Sequence, residues 1–296
     1  MPSNSSIKMD DRQRQAVKVL IQLALDEDLG VAGDITSKTV IPIQYQGKAV
    51  MVARVMGVLA GVETVEMVCQ AVDPGLIVQL DLQDGARLQK GDKIATIIGP
   101  LRSLLAAERT ALNFIQHLCG IASLSSNYVE LVKHTNCKVL DTRKTLPGWR
   151  LLSKYAVACG GGTNHRIGLY DAVMIKDKHL VGLREHQTPL SEAVRLANEA
   201  WKGKAKVEVE VDNLVQLKEA LAAMPDIVLL DNMKPAMLKE AVLLRNQLQP
   251  RVMLEASGGI NLETVAEVAA TGVDYVSVGA LTHSAPALDI ALDYIE

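Results

Sequence analysis

Apolar residues recur at Val17, Leu20, Ile21, Ala24 and Leu25, a helical stripe that predicts a helix over Ala16–Glu27. After Gly30 the period shortens. Over Gly47–Gly61 and Leu76–Ile98, short or alternating aliphatic runs are broken by Asp73-Pro74-Gly75, Asp84-Gly85 and Lys90-Gly91-Asp92, which read as turns between strands. This spacing predicts a sheet-rich first domain from about Gly33 to Gly99. A stripe of Leu104, Leu105, Ala111, Leu112, Ile115 and Leu118 then predicts a long helix from Ser103 to His134, interrupted near Gly120.

Beyond Asn136 the pattern alternates between strand and helix. Strands are expected at 138–140, 172–175, 206–209, 227–230, 251–254 and 275–278, with helices at 191–201, 213–222, 235–248 and 262–270. Repeated βα units predict a parallel sheet with helices outside it. About six strands are fewer than a complete (β/α)₈ barrel has, so the pattern alone leaves an incomplete barrel and an open doubly wound sheet both open.

Composition narrows the reading. Of 296 residues, 49% are hydrophobic and 22% charged, as in ordinary globular chains, while aromatics reach only 3%, so aliphatic side chains must fill the core. The net charge of −3 offers no global field for nucleic acid or an acidic membrane, and no apolar run is long enough to span a bilayer. The polar first residues lack the apolar stretch of a secretory signal. Cys69, Cys119, Cys137 and Cys159 are irregularly spaced, without a CxxC pair, which suits reduced thiols rather than a disulfide framework or zinc site. A cytoplasmic protein without nucleic-acid or membrane partners is expected.

The chemistry sits where the strands end. The expected strands run into Asp141-Thr142-Arg143-Lys144, Lys176, Glu210, Asp231-Asn232, Glu255-Ala256-Ser257-Gly258-Gly259 and Gly279-Ala280. In βα barrels the C-terminal strand ends form the active-site face, so these groups should converge on one mouth. Arg143, Lys144, His165, Arg166 and Lys176 imply an anionic ligand. Glu210 and Asp231 suit ribose hydroxyls or Mg²⁺. Ser257-Gly258-Gly259, ahead of a helix expected from about Asn261, and Gly279-Ala280 suit a phosphate cradle.

The segments Asp141-Thr142-Arg143-Lys144-Thr145-Leu146-Pro147-Gly148 and Gly160-Gly161-Gly162-Thr163-Asn164-His165-Arg166 resemble the quinolinate phosphoribosyltransferase family. So do Gly33-Asp34-Ile35-Thr36, Glu108-Arg109-Thr110-Ala111-Leu112-Asn113, Leu230-Asp231-Asn232 and Glu255-Ala256-Ser257-Gly258-Gly259-Ile260. The likeness runs from about Leu25 to Ser284 with the motifs in the same order. Two positions depart from it: His117 stands where the family often has Arg, and Asp177-Lys178 follows Lys176 where Glu/Asp-Asn is more usual.

The resemblance implies an α/β fold, an incomplete barrel of about six strands (residues 116–284) joined to an N-terminal mixed α+β sandwich domain with a leading helix (1–115). A closing helix over 285–296 would pack back on the first domain. The implied activity transfers the phosphoribosyl group of phosphoribosyl pyrophosphate (PRPP) to quinolinate with loss of CO₂, as in NAD biosynthesis, with Mg²⁺ accompanying PRPP. Lys144, Lys176, Glu210 and Asp231 would be catalytic, with Glu210 and Asp231 facing the metal. Thr142, Arg143, Lys144, His165, Arg166 and Lys176 would bind the carboxylates and pyrophosphate, with Ser257, Gly258, Gly259, Gly279 and Ala280 on the 5′-phosphate. Arg109 would enter the neighbouring subunit's site, in a homodimer with shared active sites and higher assembly left open. Competing readings are a phosphoribosyltransferase for another acceptor such as nicotinate, a barrel lyase using Lys176 as a Schiff base, and a non-catalytic phosphometabolite binder.

Overall fold

The computed structural model describes residues 7–184 and 189–295. These divide into two compact units: residues 1–126, 145–161 and 281–296 form one, and 127–144 with 162–280 the other. Residues 145–161 thus group with the first unit.

In the first unit, helix α1 (Asp11–Leu29) is opened by a capping box in which the Asp10 carboxylate takes the Gln13 N–H and the Gln13 side chain returns to the Asp10 N–H. It buries Val17, Ile21 and Leu25, the expected stripe. The short α2 (Ile35–Val40) follows, capped by Asp34. Strands β1 (Gln46–Ala53) and β2 (Gly57–Val58) lead to α3 (Val62–Val72), a helix the sequence reading passed over, and then to β3 (Ile77–Leu80), β4 (Arg87–Leu88) and β5 (Lys93–Pro100). Arg14 Nε, 2.6 Å from Glu63, ties α1 to α3.

Helix α4 (Leu101–Val132) runs unbroken for 32 residues, so the interruption expected at Gly120 is absent. Gly120 serves a close approach instead: a Cβ there would lie 2.0 Å from the Pro286 carbonyl oxygen. The closing segment is likewise not a helix. Residues Ile290–Ile295 form β12, antiparallel to β1 with Ala53 opposite Ile290, in the sheet order β12-β1-β5-β3. Alternation decides it, because Ile290 and Leu292 are buried while Ala291 and Asp293 are partly exposed, a period of two.

The second unit carries the parallel sheet: β6 (Lys138–Leu140), β7 (Ala172–Ile175), β8 (Lys206–Val211), β9 (Ile227–Asp231), β10 (Met253–Ser257) and β11 (Tyr275–Ser277). Helices α6 (Asp177–Arg184), α7 (Leu190–Trp201), α8 (Leu214–Ala222), α9 (Pro235–Leu248) and α10 (Val265–Ala269) separate the later strands. The spatial order β6-β11-β10-β9-β8-β7 is the chain order closed on itself, with only the β6–β7 pairing missing. That is a barrel open along one seam. Helix α5 (Arg150–Cys159), which would cross over between those two strands, instead packs with α1 in the first unit.

The open seam is stitched by 163–166. Thr163 donates to the Val139 carbonyl at 2.8 Å and accepts from Asp141 N–H at 3.2 Å, a parallel bridge beside Leu140. Outward strand residues such as Val207, Val209, Val228, Leu230, Leu254 and Val276 are buried. At the opposite end of the strands, Asp274 accepts from Arg245 Nη1 at 2.7 Å and from Leu254 N–H at 2.8 Å, locking α9 to the start of β10. A four-residue α11 (Ala280–His283) precedes β12.

Candidate active site

Strand alternation places the site. The residues 174 and 176, 208 and 210, 229 and 231, and 255 and 257, with Ser277, lie two apart along β7 to β11, so their side chains share the inner face. Ordinary barrels fill that space with Val, Ile and Leu. Here Met174 and Leu229 are accompanied by Lys176, Glu210, Asp231, Glu255, Ser257 and Ser277, which line a cavity of about 340 Å³ with Thr142, Arg143, Lys144, His165 and Arg166. Ser257 stands opposite Asp231 in register. A larger hollow of about 660 Å³ lies at the other end of β8, against Trp201 and Met224, away from the C-terminal strand ends; its charged residues, among them Arg195, Lys202 and Glu199, come from α7 and the loop after it.

All five expected cations reach the mouth. Lys176 Nζ pairs with Glu210 at 2.9 Å, whereas Schiff-base chemistry calls for a desolvated, uncharged amine. The Arg166 guanidinium donates to the Ala172 carbonyl at 3.3 Å. Its pKa is lowered, first by burial and then by the charge of Arg143, with Glu208 and Asp171 pulling the other way. Two guanidiniums close enough to repel are stabilised by an anion between them. The Lys144 N–H meets Thr142 Oγ1 at 3.1 Å, which turns the chain at the end of β6.

The glycine cradle forms, but not as a helix terminus. Gly258 has φ +99°, and a Cβ there would lie 2.1 Å from Asn232 Oδ1. Asn232, itself at φ 53°, donates its N–H to the Ser257 carbonyl, so the two loops interlock. Regular helix begins only at Val265, and the Asn261 side chain takes the N–H groups of Glu263 and Thr264 at 2.9 and 3.0 Å. The helix start expected near Asn261 is therefore a capped turn; space is open beside Gly259, and of the expected phosphate residues Ser257 lines the cavity. Gly279 and Ala280 follow β11 at the same strand ends.

Glu208 is not among the expected site residues, and Asp141 and Glu255, expected at the strand ends, have no role assigned. Glu208 and Glu255 reach His165 Nε2 at 3.2 and 3.3 Å, with side chains only 2% and 1% exposed. Asp141, fully buried, accepts the His165 N–H at 2.9 Å. The signal for Glu208 was available: in Lys206–Val211 it occupies the same face as Glu210. Burial pushes the His165 imidazole down, but hydrogen bonds and charge from Glu208 and Glu255 outweigh it and raise it to about 10. Burial raises Glu208 as well, against the pull of His165.

Other expected residues fall elsewhere. Arg109 is an exposed residue of α4 in the first unit and does not line this cavity. His117, pushed down by burial, packs its ring edge-on against Trp149 at 5.0 Å. His179 Nδ1 accepts the Lys176 N–H at 2.9 Å, and Asp177-Lys178 open α6. His186 lies outside the described residues. Gly160 is no flexible turn, since a Cβ would meet the Ala122 carbonyl oxygen at 2.2 Å.

Glu210 and Asp231, on adjacent strands, offer Mg²⁺ two carboxylates, consistent with a metal that keeps waters and phosphate oxygens as its other ligands.

Residues 34–119 match the family model for the quinolinate phosphoribosyl transferase N-terminal domain, and 121–293 that for its C-terminal domain. The chain is 44% identical to a nicotinate-nucleotide pyrophosphorylase [carboxylating] of Mycobacterium leprae over 96% of this chain and 99% of that one. A probable enzyme of the same name from Bacillus subtilis is 40% identical over 94% and 93%. The solved nicotinate-nucleotide pyrophosphorylase of Francisella tularensis superposes with a TM-score of 0.88 at 36% identity, covering 99% of this chain and all of that one.

Proposed function

The chain belongs to the quinolinate phosphoribosyl transferase family, and from that premise we propose how its parts divide the reaction. The enzyme transfers the phosphoribosyl group of PRPP to quinolinate and yields nicotinate mononucleotide, pyrophosphate and CO₂, a step of NAD biosynthesis. The observation that carries the assignment of parts is the convergence of Arg143, Lys144, His165, Arg166 and Lys176 with Glu210 and Asp231 on one mouth.

The pyridine nitrogen attacks the anomeric carbon while pyrophosphate departs. The nitrogen then carries positive charge, so the C2–carboxylate bond breaks to release CO₂, and the electron pair left on C2 takes a proton. Arg143 and Arg166 hold the dicarboxylate with His165 beside them, and Lys144 and Lys176 face the departing pyrophosphate, where fixed charges act most strongly once water is excluded. Glu210 and Asp231 orient the ribose and would hold Mg²⁺, which when bound neutralises charge on the leaving group. Backbone N–H groups of Ser257–Gly259 and Gly279–Ala280 receive the 5′-phosphate. No covalent nucleophile is needed, because positioning two substrates accounts for the rate.

A homodimer completes the site, with Arg109 of each subunit entering its neighbour's mouth; its exposure on α4 supports this. No helix among the described residues is long and apolar enough to cross a membrane. A cytoplasmic setting suits the four buried thiols, two of which, Cys69 and Cys137, burial pushes up to about 12.

The test is an assay of the purified protein with PRPP, Mg²⁺ and either quinolinate or nicotinate, following mononucleotide, CO₂ and pyrophosphate. Quinolinate is expected to exceed nicotinate in kcat/KM by on the order of 10²-fold or more, since nicotinate lacks the second carboxylate these cations would bind. Comparable values would overturn the dicarboxylate assignment.

A further inference from the structure

The inner face of a barrel is a costly place for two carboxylates. Glu208 on β8 and Glu255 on β10 reach across the interior to one nitrogen, His165 Nε2, at 3.2 and 3.3 Å. Glu255 is further held by Ser277 Oγ–H at 2.5 Å. Burying charge this deeply is destabilising unless partners compensate, so such a cluster persists where it fixes something.

What it fixes is visible in the stitch across the open seam. Residue 165 is held at three points. Its N–H donates to Asp141 Oδ1 at 2.9 Å, its Nδ1 accepts the Arg166 N–H at 2.7 Å, and its Nε2 faces the two carboxylates. The two carboxylates thus hold the ring from the barrel interior by charge, at ion-pair distance. The next residue, Arg166, leans on the Ala172 carbonyl at the start of β7 and lines the mouth. Only the Thr163 bridge beside Leu140 joins this segment to β6 as a strand would.

We propose that Glu208 and Glu255 are positioning residues for the substrate dicarboxylate, pinning His165 from inside the barrel and thereby holding Arg166 at the mouth. The inference rests on the reading of that mouth as the quinolinate site. The same three side chains have ligand atoms close enough together to hold a metal ion, a competing use that the experiment below separates from positioning.

The test uses the full-length enzyme and Glu208→Gln, which keeps the side chain's size and removes its charge. Quinolinate KM, and quinolinate Kd by calorimetry, are expected to rise roughly 10- to 100-fold, with PRPP KM within about twofold of wild type. In a double-mutant cycle, Glu208→Gln is expected to be nearly silent once His165→Asn is present, because its effect passes through His165. Glu255→Gln carries the same test should Glu208→Gln fail to fold. Equal rises in both KM values, or effects that add to those of His165→Asn, would overturn the positioning role. So would one tightly held divalent metal per chain by elemental analysis of the wild type, lost in Glu208→Gln. A wild-type enzyme that neither binds nor converts quinolinate would instead bring down the functional reading, and this inference with it.

Discussion

Each unit has a polar centre, half-buried in the first and buried in the second, and the two are built on opposite principles. In the first, Asp84 receives the N–H groups of Gly61 and Val62 at 2.9 and 3.0 Å and the Tyr155 hydroxyl at 2.6 Å, so that one carboxylate caps α3 and anchors α5. Every contact is a donor meeting an acceptor. In the second, Glu208 and Glu255 face each other across His165, and one oxygen of each is buried without a hydrogen bond. A satisfied centre rigidifies a core, whereas an incompletely satisfied one is tolerated where function demands it. The difference teaches that buried polarity alone does not mark a site; the balance of donors and acceptors does.

The comparison casts the first unit as architecture and the second as chemistry, and Arg109 is the residue that would break it. Arg109→Ala and Lys144→Ala homodimers are each expected to be nearly inactive. Mixed under subunit exchange, they should recover about half the activity per heterodimer, because one of two composite sites then carries neither substitution. Product formation in confirmed heterodimers measures this, and no recovery would return Arg109 to its own subunit or to a supporting role in α4.

A smaller effect sharpens the contrast. Asp84→Ala removes a helix cap and leaves the Tyr155 hydroxyl without its partner, so unfolding free energy is expected to fall by roughly 2–4 kcal/mol. Both KM values should stay near wild type below the unfolding temperature. Denaturant titration together with kinetics decides it, and a selective rise in one KM would place Asp84 in the chemistry.

A further test concerns pH. His165, raised from 6.5 to about 10 by its carboxylates against the opposing effect of burial, binds its proton more tightly when folded than when unfolded. The stabilisation is therefore full below the unfolded value and is lost as pH rises through the folded one. Denaturation midpoints are expected to decline from neutral to alkaline pH, and His165→Gln should flatten that decline. An unchanged slope in the variant would show that the proton is not held by this cluster.

Most of the barrel was legible in the chain. Strands at 138–140 and 172–175 and the helix at 235–248 fall where periodicity put them, because aliphatic runs bounded by turn residues need little tertiary help to declare themselves. The strand ends were legible too, since Lys176, Glu210, Asp231 and Ser257 each follow a run whose register the alternation fixes. The role proposed for Arg109 rests on resemblance alone. Glu208 went unread because it sits inside a strand, where a carboxylate two residues before Glu210 looks like one more polar partner in an alternating run.

What the sequence determined by itself was the local period of each segment and hence which side chains share a face. What only the tertiary structure decided was which faces meet. Gly120 reads as a break until Pro286 is seen against it, and 290–295 becomes a strand because β1 offers a free edge to pair with. His165 acquires two carboxylates only when β8 and β10 face each other across the barrel. Periodicity is a property of neighbours along the chain. Close approach, edge pairing and cross-barrel charge depend on residues tens of positions apart, and no local pattern encodes them.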